Sequence, residues 1–277
     1  VTQRRVAALI GSPVAHSLSP VIHQAAFDAT GVEWTYVAFD VAPGRAGEAI
    51  AAMRVLGLAG LSVTMPHKHA VATVVDRLDP AAEALGSVNT VSWDRDDVVG
   101  SSTDGAGFVA SLAADGVEIA GADVAVIGAG GAARSVIDAL GRAGAASIRI
   151  VNRTTARAES ASQLAAVASV GASDDITAAH VVVNASSVGM GVDPAAADAD
   201  DLPCDPALLH AEQVIVDLVY HPLQTAWLYR AERVGARTID GLGMLIHQAA
   251  LQQQTWLGER PDVDVMRRAA EAALAGR

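Results

Sequence analysis

All but one of the 19 basic residues in this chain are arginine, and the exception is Lys68. An arginine holds its proton at any physiological pH, whereas an ammonium can give one up and take one back. Lys68 is therefore the basic side chain suited to acid–base chemistry. It lies in Ser62-Val-Thr64-Met-Pro66-His-Lys68, in the first turn after Pro66, where a helix macrodipole disfavours a cation. Two further turns carry polar groups. In Gly11-Ser-Pro-Val-Ala-His-Ser17-Leu-Ser19-Pro20, Ser19 suits the N-cap and Pro20 the first turn, and one serine is enough to cap a helix. The second hydroxyl is then available to a ligand, and the helix start favours a carboxylate. In Ser101-Ser102-Thr103-Asp104-Gly105, Asp104 taken alone reads as a cap or first-turn acid, and taken with Lys68 as half of an acid–base pair. Hydroxyls, one ammonium and one carboxylate suit a small polyhydroxylated anion.

The run Val124-Ala-Val-Ile-Gly128-Ala129-Gly130-Gly131-Ala132-Ala133-Arg134 reads as a strand, a glycine turn and a helix start. It matches G-x-G-x-x-A, the dinucleotide fingerprint: Gly128 for the tight turn, Gly130 for close approach to a pyrophosphate, Ala133 for helix–sheet packing. A glycine turn in any α/β sheet is the plainer alternative. An NAD site ends its second strand with Asp or Glu, which binds the ribose hydroxyls. Here that place reads Val151-Asn152-Arg153-Thr154-Thr155-Ala156-Arg157, with no carboxylate and two arginines. Arginine clamps a phosphate bidentately, so the site is expected to take NADP(H). As a mere exposed pair, Arg153 and Arg157 would repel each other at a helix start that disfavours cations.

Other polar residues have open readings. Asn89, in Gly86-Ser-Val-Asn89-Thr90, could serve only its own turn. Gln248 shares a helical face with Met244, Leu245 and Leu251, and a buried amide needs a partner, of which a ligand is one. Gln252, Gln253 and Gln254 are expected in water. The eight histidines show no metal-ligand spacing, and His67-x-His69 splits across two faces of a helix, so no metal is expected.

The elements that must position these groups alternate. Strands are expected at Val6–Gly11, Thr35–Val41 and Gly60–Thr64. Helices are expected from Ser19-Pro20 to Gly31, over Arg45–Leu56, and from Pro66. Asn89–Trp93 and Val98–Ser102 read as a hairpin or two edge strands, followed by a helix from Thr103-Asp104 to Ala114. A second block holds strands Asp123–Ile127, Ser147–Val151, Val181–Ala185 and Val214–Val219, with a helix at Ala132–Ala143. Helices at Gly241–Leu257 and Val263–Ala275 close the chain. This alternation is an α/β fold with parallel sheets, and 277 residues suit about two domains.

Composition narrows the function. Hydrophobic residues make up 51% and aromatics 4%, enough for a sizeable core but not for an aromatic platform that stacks single-stranded nucleic acid. A net charge of −12 speaks against nucleic acid and against an anionic membrane surface. One cysteine, Cys204, excludes an internal disulfide framework. With no long apolar run and no signal-peptide core in Val1–Pro13, the expectation is a soluble, cytoplasmic protein.

These motifs resemble the shikimate dehydrogenase family in order along nearly the whole chain. The resemblance is carried by Gly11-Ser-Pro-x-x-His-Ser17-x-Ser19-Pro20, Val63-Thr64-x-Pro66-x-Lys68, Gly86-x-Val-Asn89-Thr90 and Thr103-Asp104-Gly105. It continues through Gly128-Ala-Gly-Gly-Ala-Ala133, Asn152-Arg153-Thr154 and Asn184-Ala-Ser186-x-x-Gly189-Met190. It ends with Asp217-x-x-Tyr220-x-Pro222 and Asp240-Gly241-x-x-Met244-Leu245-x-x-Gln248. The resemblance implies a two-domain α/β architecture. An N-terminal substrate domain would span 1–103, completed by helices in 238–277, and a Rossmann-like NADP-binding domain would span 104–237. It implies NADPH-dependent reversible reduction of 3-dehydroshikimate to shikimate, in the synthesis of chorismate and the aromatic amino acids. Lys68 and Asp104 would be the catalytic pair. Ser17, Ser19, Thr64, Asn89, Asp104, Tyr220 and Gln248 would bind substrate, the two serines taking its carboxylate. Gly128, Ala129, Gly130, Gly131, Ala132, Asn152, Arg153, Thr154, Arg157 and Ser186 would hold NADP(H), with Leu218 and Gly241 near the nicotinamide. The small-molecule substrate would be the partner of a monomer or homodimer. Ser62 and Ser102 stand where the family often has asparagine, so hydrogen bonds there are expected to shift or to pass through water.

Overall fold

The computed structural model describes residues 4–276; of the expected first domain Val1–Gln3, and at the other end Arg277, lie outside them. The chain divides into two compact units: Val1–Thr103 with Ile246–Arg277, and Asp104–Leu245.

The first unit contains β1 (Arg5–Gly11), α1 (Ser19–Thr30), β2 (Trp34–Asp40), α2 (Ala46–Leu56), β3 (Gly60–Val63), α3 (Lys68–Ala72), β4 (Arg77–Leu78), α4 (Pro80–Leu85), β5 (Thr90–Asp94) and β6 (Asp97–Ser101). Its sheet runs β2-β1-β3-β5-β6-β4. β1 pairs in parallel with both β2 and β3, while β5 is antiparallel to β3 and to β6. The expected hairpin is thus inside the sheet, because the short β4 covers its outer strand. α1 ends where Gly31 turns left-handed at φ 71°, a conformation that costs glycine no Cβ clash.

Two local expectations are corrected. Leu18, not Ser19, is the N-cap of α1, and Ser19 is already helical; the Ser17 hydroxyl accepts the Ser19 N–H at 3.2 Å instead. Pro66 precedes rather than opens the next helix, which begins at Lys68 and has five residues.

The second unit contains α5 (Asp104–Ala114), β7 (Asp123–Ile127), α6 (Gly131–Arg142), β8 (Ser147–Val151), α7 (Thr155–Ser162), β9 (Ala168–Val170), α8 (Ser173–Ala178), β10 (Val181–Asn184), β11 (Val214–Asp217), α9 (Ala226–Arg233) and β12 (Arg237–Ile239). All pairings in its sheet are parallel, in the order β12-β11-β10-β7-β8-β9. This is the doubly wound order, whose strand order reverses between β7 and β10 and leaves a crevice at their carboxyl ends. The strands are runs of Val, Ile and Ala because helices cover both faces: Val124, Val126, Val181, Val183, Ile148 and Ile150 sit in one core with Val136, Ile137 and Leu140 of α6. The chain ends in α10 (Leu242–Leu257) and α11 (Val263–Ala275), the latter packed on α1. Among the described residues no helix is long and apolar enough to cross a membrane.

Candidate active site

In the second unit a glycine-lined cradle forms at the strand-order reversal. Gly128 leaves β7 at φ +115°, and a Cβ there would lie 3.0 Å from the Ala185 carbonyl oxygen. Only glycine fits both the conformation and the close approach of the β10 end. The turn is tied on each side: Gly128 N donates to Val151 O at 2.9 Å, and Ala185 N to Ile127 O at 2.9 Å. Gly130 is the N-cap of α6, with no side chain capping the helix. A Cβ on Gly130 or Gly131 would meet nothing within 4 Å among the described residues beyond its chain neighbours and the helix's own backbone. Uncapped N–H groups facing open space are what a pyrophosphate requires, so the residues present fit the dinucleotide that the fingerprint implies.

The neighbouring strand end fits a phosphate on the ribose. Asn152 closes the turn after β8 by donating to Thr154 O at 2.9 Å. Thr154 is the N-cap of α7 but makes no side-chain cap bond. Arg153, Thr154 and Arg157 are all exposed. The segment 151–158 holds no carboxylate to repel a phosphate, and Arg153 and Arg157 flank a helix start without a side-chain cap.

The ends of β10 and β11 complete the cradle. Ser186 donates its Oγ to Asn184 Oδ1 at 2.7 Å. Leu218 N donates to Asn184 O at 3.0 Å, and Gly241 N to Val219 O at 3.3 Å. A Cβ on Gly241 would lie 2.3 Å from Leu218 O, so the chain passes Leu218 only as glycine. Ser186, Leu218 and Gly241, far apart in sequence, are thereby gathered. Tyr220 follows on the same turn, half-buried.

Asp104, half-buried, is the first residue of α5. Gly105 sets its place: a Cβ there would stand 2.3 Å from Ser135 O on α6, so α5 can lie against α6.

In the first unit the polar groups collect at the carboxyl ends of β1 and β3. Gly11 lets the two loops meet, since a Cβ would stand 2.2 Å from Thr64 Cγ2. Thr64 N donates to Ile10 O at 2.9 Å, and Ser12 N to Met65 O at 2.9 Å. Lys68 follows, half-buried, with its carbonyl accepting Val88 N at 3.0 Å. The two flanking histidines tie the turn to neighbouring backbone: His67 Nε2 lies 2.7 Å from Val41 O, and His69 Nδ1 2.7 Å from Gly86 O. No group of three potential metal ligands occurs among the described residues. Ser17 is half-buried and Ser19 buried at the start of α1.

Asn89 is buried and does more than serve its own turn. Its Oδ1 accepts Thr103 N at 2.8 Å, and its Nδ2 donates to Thr103 Oγ1 at 2.9 Å and to Gln248 Oε1 at 3.4 Å. Thr103 Oγ1 donates to Gln248 O at 3.1 Å. Asn89, Thr103 and Gln248 therefore form one cluster.

Behind it lies a network that sequence reasoning missed. Gln252 and Gln253 are 2% and 0% exposed, which corrects their expected place in water; only Gln254 of the three is exposed. Tyr36 donates to Ser62 Oγ at 2.6 Å, Ser62 donates to Gln252 Oε1 at 2.6 Å, and Gln252 Nε2 donates to Asn89 O at 3.0 Å. Ser62 thus bonds directly to two side chains. His23 stacks on Tyr36, with centroids 4.2 Å apart and planes 7° apart. Its Nε2 lies 3.2 Å from Gln252 Oε1, and its Nδ1 accepts Gln253 Nε2 at 3.1 Å. Burial pushes the His23 imidazole down to about 3, so the ring is neutral. Burial pushes the Tyr36 phenol up. This network holds Asn89 with uncharged groups.

Comparison with known proteins covers the same ground. Residues 9–91 match the shikimate dehydrogenase substrate binding domain, 111–189 the shikimate / quinate 5-dehydrogenase model, and 241–271 the shikimate 5'-dehydrogenase C-terminal domain. Shikimate dehydrogenase (NADP(+)) of Symbiobacterium thermophilum is 44% identical over 98% of this chain and 95% of its own. Shikimate 5-dehydrogenase from Thermus thermophilus, solved in complex with NADP(H) and shikimate, has a TM-score of 0.88 at 35% identity, covering 97% of this chain and 99% of its own. The ligand-free 5-ketofructose reductase of Gluconobacter sp. strain CHM43 has a TM-score of 0.90 at 31% identity, covering 99% of this chain and 100% of its own. On motifs, fold and full-length identity alike, the chain belongs to the shikimate dehydrogenase family.

Proposed function

We propose that the chain catalyses the reversible, NADPH-dependent reduction of 3-dehydroshikimate to shikimate, a step in chorismate and aromatic amino-acid synthesis, with Lys68 and Asp104 as its acid–base pair. What supports this reading most is the full-length likeness to the Thermus enzyme solved with NADP(H) and shikimate, joined to a glycine cradle whose ribose end carries Arg153 and Arg157. A cytoplasmic setting fits the single cysteine, and a monomer or homodimer suffices for the chemistry.

NADPH, when bound, would supply the hydride that the carbonyl carbon takes up. Lys68 gives its Nζ proton to the oxygen that becomes the new hydroxyl, and recovers it in the oxidative direction. Asp104 accepts a hydrogen bond from that hydroxyl and so orients it. Ser17 and Ser19 donate to the substrate carboxylate at the start of α1. Thr64, Asn89, Tyr220 and Gln248 hold the ring hydroxyls, so that one face of the ring is presented. Gly128–Ala132 take the pyrophosphate, Asn152, Arg153, Thr154 and Arg157 the ribose phosphate, and Ser186, Leu218 and Gly241 line the nicotinamide end.

The test is cofactor-linked oxidation of shikimate, followed by the near-ultraviolet absorbance of the reduced cofactor, beside quinate and with NAD in place of NADP. Shikimate with NADP is expected as the preferred pair. Preference for quinate, or no oxidation of shikimate while NADPH reduces another polyhydroxylated ketone such as 5-ketofructose, would replace the substrate assignment. Amine-selective labelling adds a second readout, because Lys68 is the sole lysine and shikimate should protect it.

A further inference from the structure

We propose that Asp217 is a positioning residue for this reaction, holding the turn that carries Leu218 and Tyr220 by fixing the Val219 N–H to the ends of β10 and α9. The inference rests on the reading above for what that turn faces, and on the structure for what holds it. Asp217 closes β11 with 0% of its surface exposed. Its Oδ1 accepts Asn184 Nδ2 at 2.8 Å and Val219 N at 3.0 Å, and its Oδ2 accepts Thr225 Oγ1 at 2.8 Å. The three donors come from the strand beside it, from the turn itself and from the N-cap of α9.

A buried carboxylate is costly, and a side chain that only filled space would be better apolar. Asp217 has no cation among its hydrogen-bond partners, and burial moves it up to about 6. A carboxylate can accept from three separate elements at once, which no apolar group can do. The bonded chain also extends further. Asn184 Oδ1 accepts Ser186 N at 3.1 Å, and Asn184 Nδ2 donates to Val188 O at 3.2 Å. One run of side-chain bonds therefore links Ser186, Asn184, Asp217 and Val219, and Gly241 abuts Leu218 from the other side. Asp217 itself belongs to none of the assigned ligand sets, yet it fixes residues that do.

The experiment compares Asp217→Ala with Asp217→Asn. The asparagine oxygen can accept from Asn184 and Val219 while its amide donates to Thr225. In Asp217→Ala, kcat for shikimate oxidation is expected to fall about tenfold or more, and the Val219 amide in protein without cofactor to exchange with solvent about tenfold faster or more. Asp217→Asn is expected to keep both within about threefold of the parent. An Asp217→Ala protein that is merely less stable, with parental kcat or parental Val219 exchange, overturns the proposal. Should Asp217→Ala not fold, the pair Thr225→Val and Thr225→Ser decides: the valine must speed Val219 exchange and lower kcat, and the serine must restore both. Parental kcat in Thr225→Val overturns the proposal equally. Failure of the parent enzyme to oxidise shikimate would instead defeat the reaction assigned above, and the exchange measurement would still judge the hold on the turn.

Discussion

Asn184 donates its side-chain N–H to Asp217 Oδ1 at 2.8 Å, and the two residues stand opposite each other at the ends of parallel strands. This bond locks together the two loops that close the cofactor cradle, with neutral donors around a buried acid. The energetic consequence has a definite sign. Burial raises the Asp217 carboxyl to about 6 in the folded chain, above its value when unfolded. Its contribution to stability is therefore full at low pH and is lost as pH rises through 6, a cost of about 3 kcal/mol by neutral pH. Asp217→Asn carries no such cost. Its stability advantage over the parent, measured by urea unfolding, is expected to grow between about pH 4 and pH 7. A difference that does not vary with pH would contradict this.

His23 acts in the opposite sense. Its folded value of about 3 lies below the unfolded one, so stability is lost as pH falls from about 6.5 towards 3. Between pH 7 and pH 5 the loss from this ring is about 2 kcal/mol. His23→Phe is expected to be less stable at neutral pH, because it removes the ring bonds to Gln252 Oε1 and Gln253 Nε2. The same variant should lose less stability on acidification than the parent. An equal slope in both proteins would show that the ring is not held neutral.

Arg153 lies exposed beside the open start of α7. Arg153→Ala should weaken NADPH binding about tenfold or more, about 1.4 kcal/mol or greater, and leave NADH binding nearly unchanged. Fluorescence titration of both cofactors measures this. An equal loss for the two would remove Arg153 from the ribose-phosphate site.

Ser62→Ala deletes the group that accepts from Tyr36 and donates to Gln252. Two buried polar atoms lose a partner, so unfolding free energy should drop by about 1–3 kcal/mol. Gln252 also carries Asn89 O, so the KM for shikimate should rise as well. A stable variant with unaltered KM would mean that the network does not support Asn89.

How much of this was legible in the sequence varies with the kind of signal. The cradle was readable because Gly128 meets a backbone requirement that no other residue meets, and because apolar strands flank it. The polar ends of β1 and β3 were readable from hydroxyls placed just beyond apolar runs. The Gln252 network was not: helical periodicity assigns a face, but it cannot say that the opposite wall offers the Tyr36 hydroxyl, Ser62 and His23 from three other elements. Ser19 was misread as a cap because the sequence does not show that Ser17 already supplies the oxygen. β4, with two residues, is too short to carry a period. Asp217 did leave a signal, an acid that ends the apolar run Val214-Ile-Val, though its three donors appear only when β10, the turn and α9 come together.

In the proposed reaction a single ammonium moves the proton. That role is decided by kcat for NADP-linked shikimate oxidation in Lys68→Ala beside the parent, with NADP binding measured separately. A fall of about 10²- to 10⁴-fold in kcat is expected, with KM and cofactor affinity changed much less. Parental kcat in Lys68→Ala would take Lys68 out of the proton transfer.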